Sequence, residues 1–424
     1  MNVGGVSERY DVIVVGARVA GSTLAALLGL KGVRVLVLDQ ARFPSDTLST
    51  HVIFDDSFSV WEDAGAWSRI QAIGAVEMTR VDWRRTAPDT DVVSPIYGVR
   101  QRNYSLCLRR ILLDQALLEN AREVPNVTVC TGTKVTEILW EDGRVVGVRF
   151  EEGKAGSRSA GTARASLVVG ADGRLSFVAR AVRAPAYAVV PPLYFPFYTY
   201  LVDVEPADPP AFELFESPEL GTLMVTPCED GLFMGVVYSP QDRYDAFRRD
   251  HERLFWERFT ADPRLAPRLE HAKIVAPIRG RGDLVNMLRV AAGPGWALLG
   301  DSGQHKDPIF GQGIGDACRS AVILADHIGK ALSGELEWGA ALAEFHARRD
   351  ADLLPGYDLM INRRLHGVAP EVFEFFWREV GRSESWSARF VNVFTHAIPL
   401  QAVYNADALE RFQQDVGARG RAAA

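Results

Sequence analysis

Cysteine is scarce. The four in 424 residues (Cys107, Cys130, Cys228, Cys318) stand far apart, with no CxxC pair and no Cys/His group at zinc-ligand spacing. They read as separate buried or idle thiols in a reducing compartment, and the scattered histidines indicate no metal site. A positive excess is also missing: 47 Lys and Arg against 54 Asp and Glu give a formal charge of −7. No overall positive field is available to hold a nucleic-acid backbone or an anionic membrane, so nucleic acid is not an expected partner. No apolar run approaches the roughly 18–20 residues that cross a bilayer. The first nine residues lack a basic segment followed by an apolar one and a cleavage site. The expectation is no transmembrane segment and a cytoplasmic location, where the sequons at Asn103 and Asn126 carry no meaning. What is present, 47% hydrophobic and 24% charged residues, is the composition of a folded protein. The length predicts about two to four domains and rules out a lone binding module.

The first forty residues are the most legible. Tyr10–Val15 is an apolar β-branched run, Gly16-Ala-Arg-Val-Ala-Gly21 a glycine turn, Ser22–Lys31 helical in composition, and Val33–Leu38 a second buried strand ending at Asp39. This is a βαβ unit opening a parallel sheet. Gly16 permits the tight turn and Gly21 close helix–strand packing. The helix N-terminus, with Ser22 in its first turn, attracts a pyrophosphate, and Asp39 can accept from a ribose hydroxyl. Arg18 stands where a second glycine usually lets backbone approach phosphate; its Cβ crowds that space, while its guanidinium can contact the anion.

Downstream, Phe58–Ile70 and Leu108–Arg122 read as helices, and Val135–Phe150 as strands around Glu141-Asp-Gly-Arg144. Glu151–Ala163 reads as a hairpin or loop, and Ser166–Gly170 as another buried strand. Prolines and aromatics gather from about 186 to 278, predicting an antiparallel second sheet whose rings mostly pack a core. The buried-strand pattern returns at Trp296–Gly300, followed by a helix over Ile314–Leu332. The expected architecture is α/β in two domains. Residues 1–76, 101–185 and 279–340 form a discontinuous Rossmann-like nucleotide domain, 77–100 and 186–278 a substrate domain, and 341–424 a helical C-terminal region. The apolar stretch Phe390–Tyr404 fits either a lipid-facing patch or a core helix.

Two further motifs follow in order. Gly170-Ala-Asp172-Gly173-Arg174 ends the strand before it. Gly300-Asp301-Ser-Gly-Gln-His305-Lys306-Asp307-Pro308-Ile-Phe-Gly311-Gln-Gly313-Ile314 is a proline-containing glycine loop between strand and helix. Such a loop presses backbone against a flat ring, and the helix end behind it stabilises negative charge developing there.

With these three motifs in this order, residues 9–335 resemble the FAD-dependent oxidoreductases of the p-hydroxybenzoate hydroxylase fold. That group comprises the single-component flavoprotein monooxygenases with the geranylgeranyl reductases and flavin-dependent halogenases. The resemblance implies that Gly16, Arg18, Gly21, Ser22 and Asp39 surround the ADP half of FAD and that Arg110 reaches the cofactor. It further implies that backbone at Val135 meets adenine, Asp301 binds the ribityl chain or pyrophosphate, and Pro308, Gly311, Gly313 and Ile314 face the isoalloxazine. Asp172 and Gly173 match a motif tied to both FAD and pyridine-nucleotide contacts. The implied reaction is monooxygenation of a small apolar or aromatic molecule with NAD(P)H and O2 through a flavin C4a-hydroperoxide. A partner flavin reductase is the other source of electrons, since no second complete Rossmann unit is present. His51, His305, Lys306 and Asp307 fall in loops expected to flank the ring, as proton donors or substrate partners. The halogenases' WxWxIP motif is absent. The rival readings are a reductase or dehydrogenase acting on C=C bonds of an isoprenoid or other lipid-like substrate, and a flavin-free escort protein of the same fold.

Overall fold

The protein, seen as a computed structural model, is described over residues 9–49, 51–86, 90–154, 157–362 and 370–422. Strand β1 (Arg9–Val15), helix α1 (Val19–Leu30) and strand β2 (Val35–Asp39) form the expected βαβ unit. β-Branched residues keep these strands extended, and residues 12–15 and 35–39 are buried because helices cover one side of the sheet and further strands the other. β1 pairs in parallel with β2 and with the end of the long strand Ser157–Gly170. That strand pairs in parallel with Trp296–Leu298, and β2 with Val127–Thr131. Of the two readings for the segment after Glu151, hairpin or loop, the structure takes the hairpin. Arg144–Lys154 runs antiparallel to the first half of Ser157–Gly170, so one strand serves both a hairpin and the parallel sheet.

The second sheet contains Tyr194–Val202, Ala211–Ser217, Gly221–Pro227 and Phe233–Pro240, joined by Arg80–Arg85 and Val92–Pro95 from far upstream. Its pairings are antiparallel except at one step, where Ala211–Ser217 lies parallel to Arg80–Arg85. Both faces are covered. Phe195, Phe197 and Phe215 pack on one side against Phe247, Phe255 and Phe259 of the helices at 244–261. On the other side Tyr198, Phe212, Met224 and Val236 pack against Phe376, Trp386, Phe390 and Phe412 of the C-terminal helices. Phe390, Val391, Val393, Phe394, Val403 and Tyr404 are all buried there. The lipid-facing reading of 390–404 is thereby overturned, since the sheet already takes that apolar surface. Among the described residues no helix is long and apolar enough to cross a membrane.

Candidate active site

At the C-terminal ends of the parallel strands a cleft of about 720 Å³ opens between the two sheets. It sits where strand carboxyl ends and helix N-termini converge, as nucleotide sites do in such sheets.

Gly16 adopts φ +108° and a Cβ there would lie 2.3 Å from the carbonyl oxygen of Ala171, so only glycine fits. Gly21 faces inward: its Cβ would stand 1.8 Å from the carbonyl oxygen of Gly16, which is the close packing expected of it. Ser22 is buried behind the turn and donates to the carbonyl of Ala17 at 2.6 Å, bracing the helix start without lining the cleft. Asp39 lines the cleft, but its carboxylate is engaged with protein: Oδ2 accepts from Ala17 N and Oδ1 from Ala41 N, each at 2.7 Å. Each oxygen retains a lone pair, so Asp39 holds the turn and remains an acceptor.

Arg18 reaches out of the turn, donating to Asp114 at 2.6 Å and to the carbonyl of Ser45 at 2.9 Å. Arg110 opens the helix Arg110–Glu123 and pairs with the same Asp114, one turn on, at 2.8 Å. Asp114 is fully buried, and two guanidiniums around one carboxylate leave a net charge of +1 at the edge of the cleft. That suits a diphosphate. Asp114 was not among the candidates from sequence. Its signal was the i,i+4 spacing after Arg110, which alone does not distinguish a surface ion pair from a buried one.

Val135 lines the same end. Asp172 caps the short helix Phe177–Ala181, accepting from Phe177 N at 2.6 Å and Val178 N at 3.1 Å, and lines the wall with Gly173. Asp301 is exposed and borders the middle of the cleft.

At the far end stand Pro308, Gly311, Gly313 and Ile314, with Gly311 at φ +67° turning the chain into the 21-residue helix Gly313–Ser333. His305 lines the cleft, with Nδ1 2.9 Å from the carbonyl of Val285. Lys306 lines it too, its amine 2.8 Å from Asp316 and 2.9 Å from Gln312 Oε1. Opposite, Pro196 and Tyr198 bring the second sheet to the cleft.

Two candidates lie behind the wall. Asp307 is buried outside the lining and caps the turn Pro308–Phe310, accepting from Ile309 N at 3.1 Å; burial pushes its carboxyl up to about 6. His51 is fully buried, and burial, then the charge of Arg110, depresses it to about 3. A neutral imidazole out of reach of the cleft is not a direct proton donor to a ligand there. The loop signal placed both residues near the ring but could not show that packing turns them inward.

The matched protein-family description is "FAD binding domain", over residues 9–351. A 1H-pyrrole-2-carbonyl-[peptidyl-carrier protein] brominase of Pseudoalteromonas luteoviolacea is 21% identical over 352 residues, 81% of this chain and 82% of the relative. The ubiquinone hydroxylase UbiL of Rhodospirillum rubrum is 26% identical over 402 residues, 87% and 84%. The solved structure of the flavin-dependent brominase Bmp2 superposes with a TM-score of 0.80 at 18% identity, covering 98% of this chain and all of that one, which is a likeness of fold. The residues present fit FAD. A turn that excludes a Cβ, a net positive pair of arginines and a glycine-opened helix end line one continuous cleft. The chain belongs to the FAD-binding-domain family of flavoprotein oxidoreductases and adopts the p-hydroxybenzoate hydroxylase fold.

Proposed function

We propose that this protein is an FAD-dependent monooxygenase that hydroxylates or epoxidises a small apolar or aromatic molecule, taking electrons from NAD(P)H and oxygen from O2. The observation that carries the reading is the continuity of the cleft, which ends between the glycine loop and a wall of Leu48, Pro196 and Tyr198. Bound FAD would supply electrons to O2. Arg18, Arg110 and the α1 N-terminus bind the anionic half. The N-terminus of Gly313–Ser333 stabilises negative charge at the ring end, and the Leu48, Pro196 and Tyr198 wall limits water there. Lys306, fixed by Asp316 and Gln312, adds a cation, and His305 is the histidine positioned to exchange a proton with a ligand. The hydroxylase relative supports oxygenation. The brominase relative raises halogenation, against which stands the absence of WxWxIP anywhere in the chain.

The test is to purify the yellow protein, add NADPH without oxygen, then admit air with a panel of phenols and isoprenoids while following flavin absorbance and oxygen. The expected result is substrate-dependent NADPH oxidation matched by oxygen uptake and independent of halide. A product that forms only with bromide or chloride overturns the reading, as does saturation of a C=C bond without oxygen uptake. Flavin left oxidised by NADPH and NADH in the presence of a turned-over substrate moves the electron source to a partner reductase.

A further inference from the structure

Cys107 and Cys228 are 121 positions apart in sequence, yet their sulfurs lie 3.3 Å from each other. A ring nitrogen of His51 completes a group whose ligating atoms all fall within 4.8 Å of one another, and all three residues are buried. Nδ1 of His51 is 2.9 Å from the carbonyl oxygen of Ser49. A carbonyl only accepts, so the ring proton sits on Nδ1 and the lone pair is on Nε2. This is how a backbone acceptor fixes the tautomer of a metal-binding histidine. The hydroxyl of Tyr200 lies 3.0 Å from that Nε2.

We propose that His51, Cys107 and Cys228 form a zinc site, with the hydroxyl of Tyr200 as the oxygen donor at the fourth position. One imidazole, two thiolates and one oxygen make a tetrahedral set of the kind zinc takes, and sulfur disfavours magnesium and calcium. Charge selects among the thiolate-seeking ions. Two thiolates cancel the charge of Zn²⁺ and leave a neutral unit, which suits cysteines that belong to the same buried apolar cluster as Val52, Met78, Met224 and Met234. A monovalent copper ion would leave a buried negative charge. The neighbouring groups offer it no net compensation, because the three guanidiniums of Arg18, Arg109 and Arg110 are matched by the three carboxylates of Asp114, Glu229 and Asp230. On binding, two S–H bonds break, two Zn–S bonds form, and two protons pass to solvent, with no change of oxidation state.

The site would act as a clamp. Cys107 lies on the strand Leu106–Cys107, paired with Val52–Ile53 beside the glycine loop, whereas Cys228 follows the second-sheet strand Gly221–Pro227. An ion bound to both ties the cofactor layer to the substrate sheet directly behind Tyr198.

The experiment titrates reduced holoprotein with Zn²⁺ against a chromophoric chelator, with Co²⁺ as a spectroscopic probe. Expected are one zinc per chain, two protons released per zinc, and red d–d bands of tetrahedral Co²⁺ outside the absorption of oxidised flavin. Cys228→Ser should lower zinc affinity on the order of 100-fold or more, while Cys130→Ser leaves it unchanged. Wild-type protein that binds no zinc with both thiols reduced overturns the proposal, and so does a folded, yellow Cys228→Ser protein that binds as wild type does. A Cys107–Cys228 disulfide in freshly isolated, unreduced protein would assign the pair to thiol redox instead and overturn it as well. If Cys228→Ser does not fold, the wild-type stoichiometry and proton release decide.

Discussion

Asp307 was a candidate for chemistry and turns out to be a buried cap with a displaced pKa. A carboxyl raised in the folded state from 3.8 to about 6 binds its proton more tightly when folded. Its favourable contribution is therefore fully present below pH 4 and is lost as pH rises through about 6, a difference of about 3 kcal/mol at most. Asp307→Asn keeps an oxygen for Ile309 N and removes the charge. Its stability relative to wild type should rise from near zero at pH 4 to about 3 kcal/mol by pH 7. Urea unfolding at the two pH values checks this, and a difference that does not change with pH sinks it. Arg18 shows the opposite outcome of reading single residues. Its place in the glycine turn marked it as either an obstacle or an anion contact, and the structure swings its guanidinium to Asp114 and Ser45, clear of the turn. Arg18→Met should weaken FAD binding about 10-fold or more and make it less sensitive to salt, measured by flavin release on dilution. FAD affinity equal to wild type would remove Arg18 from the diphosphate site.

Elements were legible wherever local pattern and tertiary demand agree. The helix expected over Ile314–Leu332 spans Gly313–Ser333, and Gly334 stops it in the left-handed conformation that a helix end favours, at φ +80°. The helix expected over Phe58–Ile70 is instead two, Asp55–Asp63 and Trp67–Gln71, because Gly65 takes φ +76° between them. A single glycine in an otherwise periodic stretch does not announce which backbone region it will use. The sequence pattern groups 77–100 with 186–278 but does not contain the pairing itself, Arg80–Arg85 parallel to Ala211–Ser217 and antiparallel to Val92–Pro95. Strand propensity carries no address for the partner, and the same lack of address separated Cys107 from Cys228. For β1–α1 the address is written locally, and it can be tested there. Gly21→Ala places a methyl 1.8 Å from the carbonyl oxygen of Gly16, so α1 must shift off the turn that faces the cleft. The expected cost is about 3 kcal/mol together with loss of bound flavin, read from thermal melts and the flavin content of purified protein. A yellow, stable Gly21→Ala protein would mean that the turn relaxes without consequence.

The chain crosses between its layers repeatedly, and this bears on how it unfolds. Residues 9–71 build the nucleotide layer, 80–95 enter the second sheet, 110–170 return, 194–240 leave again, and 296–333 come back to close the parallel sheet. The C-terminal helices then seal the far face of the second sheet and touch the cofactor layer as well. Gln312 donates to the carbonyl of Phe394 at 3.3 Å, and Arg319 joins Asp56 at 2.6 Å within 3.1 Å of His396. The core under these helices includes Val52, Phe54 and Cys107 beside Met224, Val236 and Phe412, so it belongs to neither layer alone. Layers that share one core and exchange strands cannot unfold independently, because opening one exposes apolar surface of the other. Calorimetry should therefore show a single transition in which flavin release and loss of aromatic circular dichroism coincide. Phe412→Ala probes the point from the far end of the chain: Phe412 is fully buried against Phe375, Phe376 and Trp386. Its truncation should cost about 3–5 kcal/mol and move both signals down together. Two separated transitions, with flavin release unmoved by Phe412→Ala, would show that the shared core does not couple the layers.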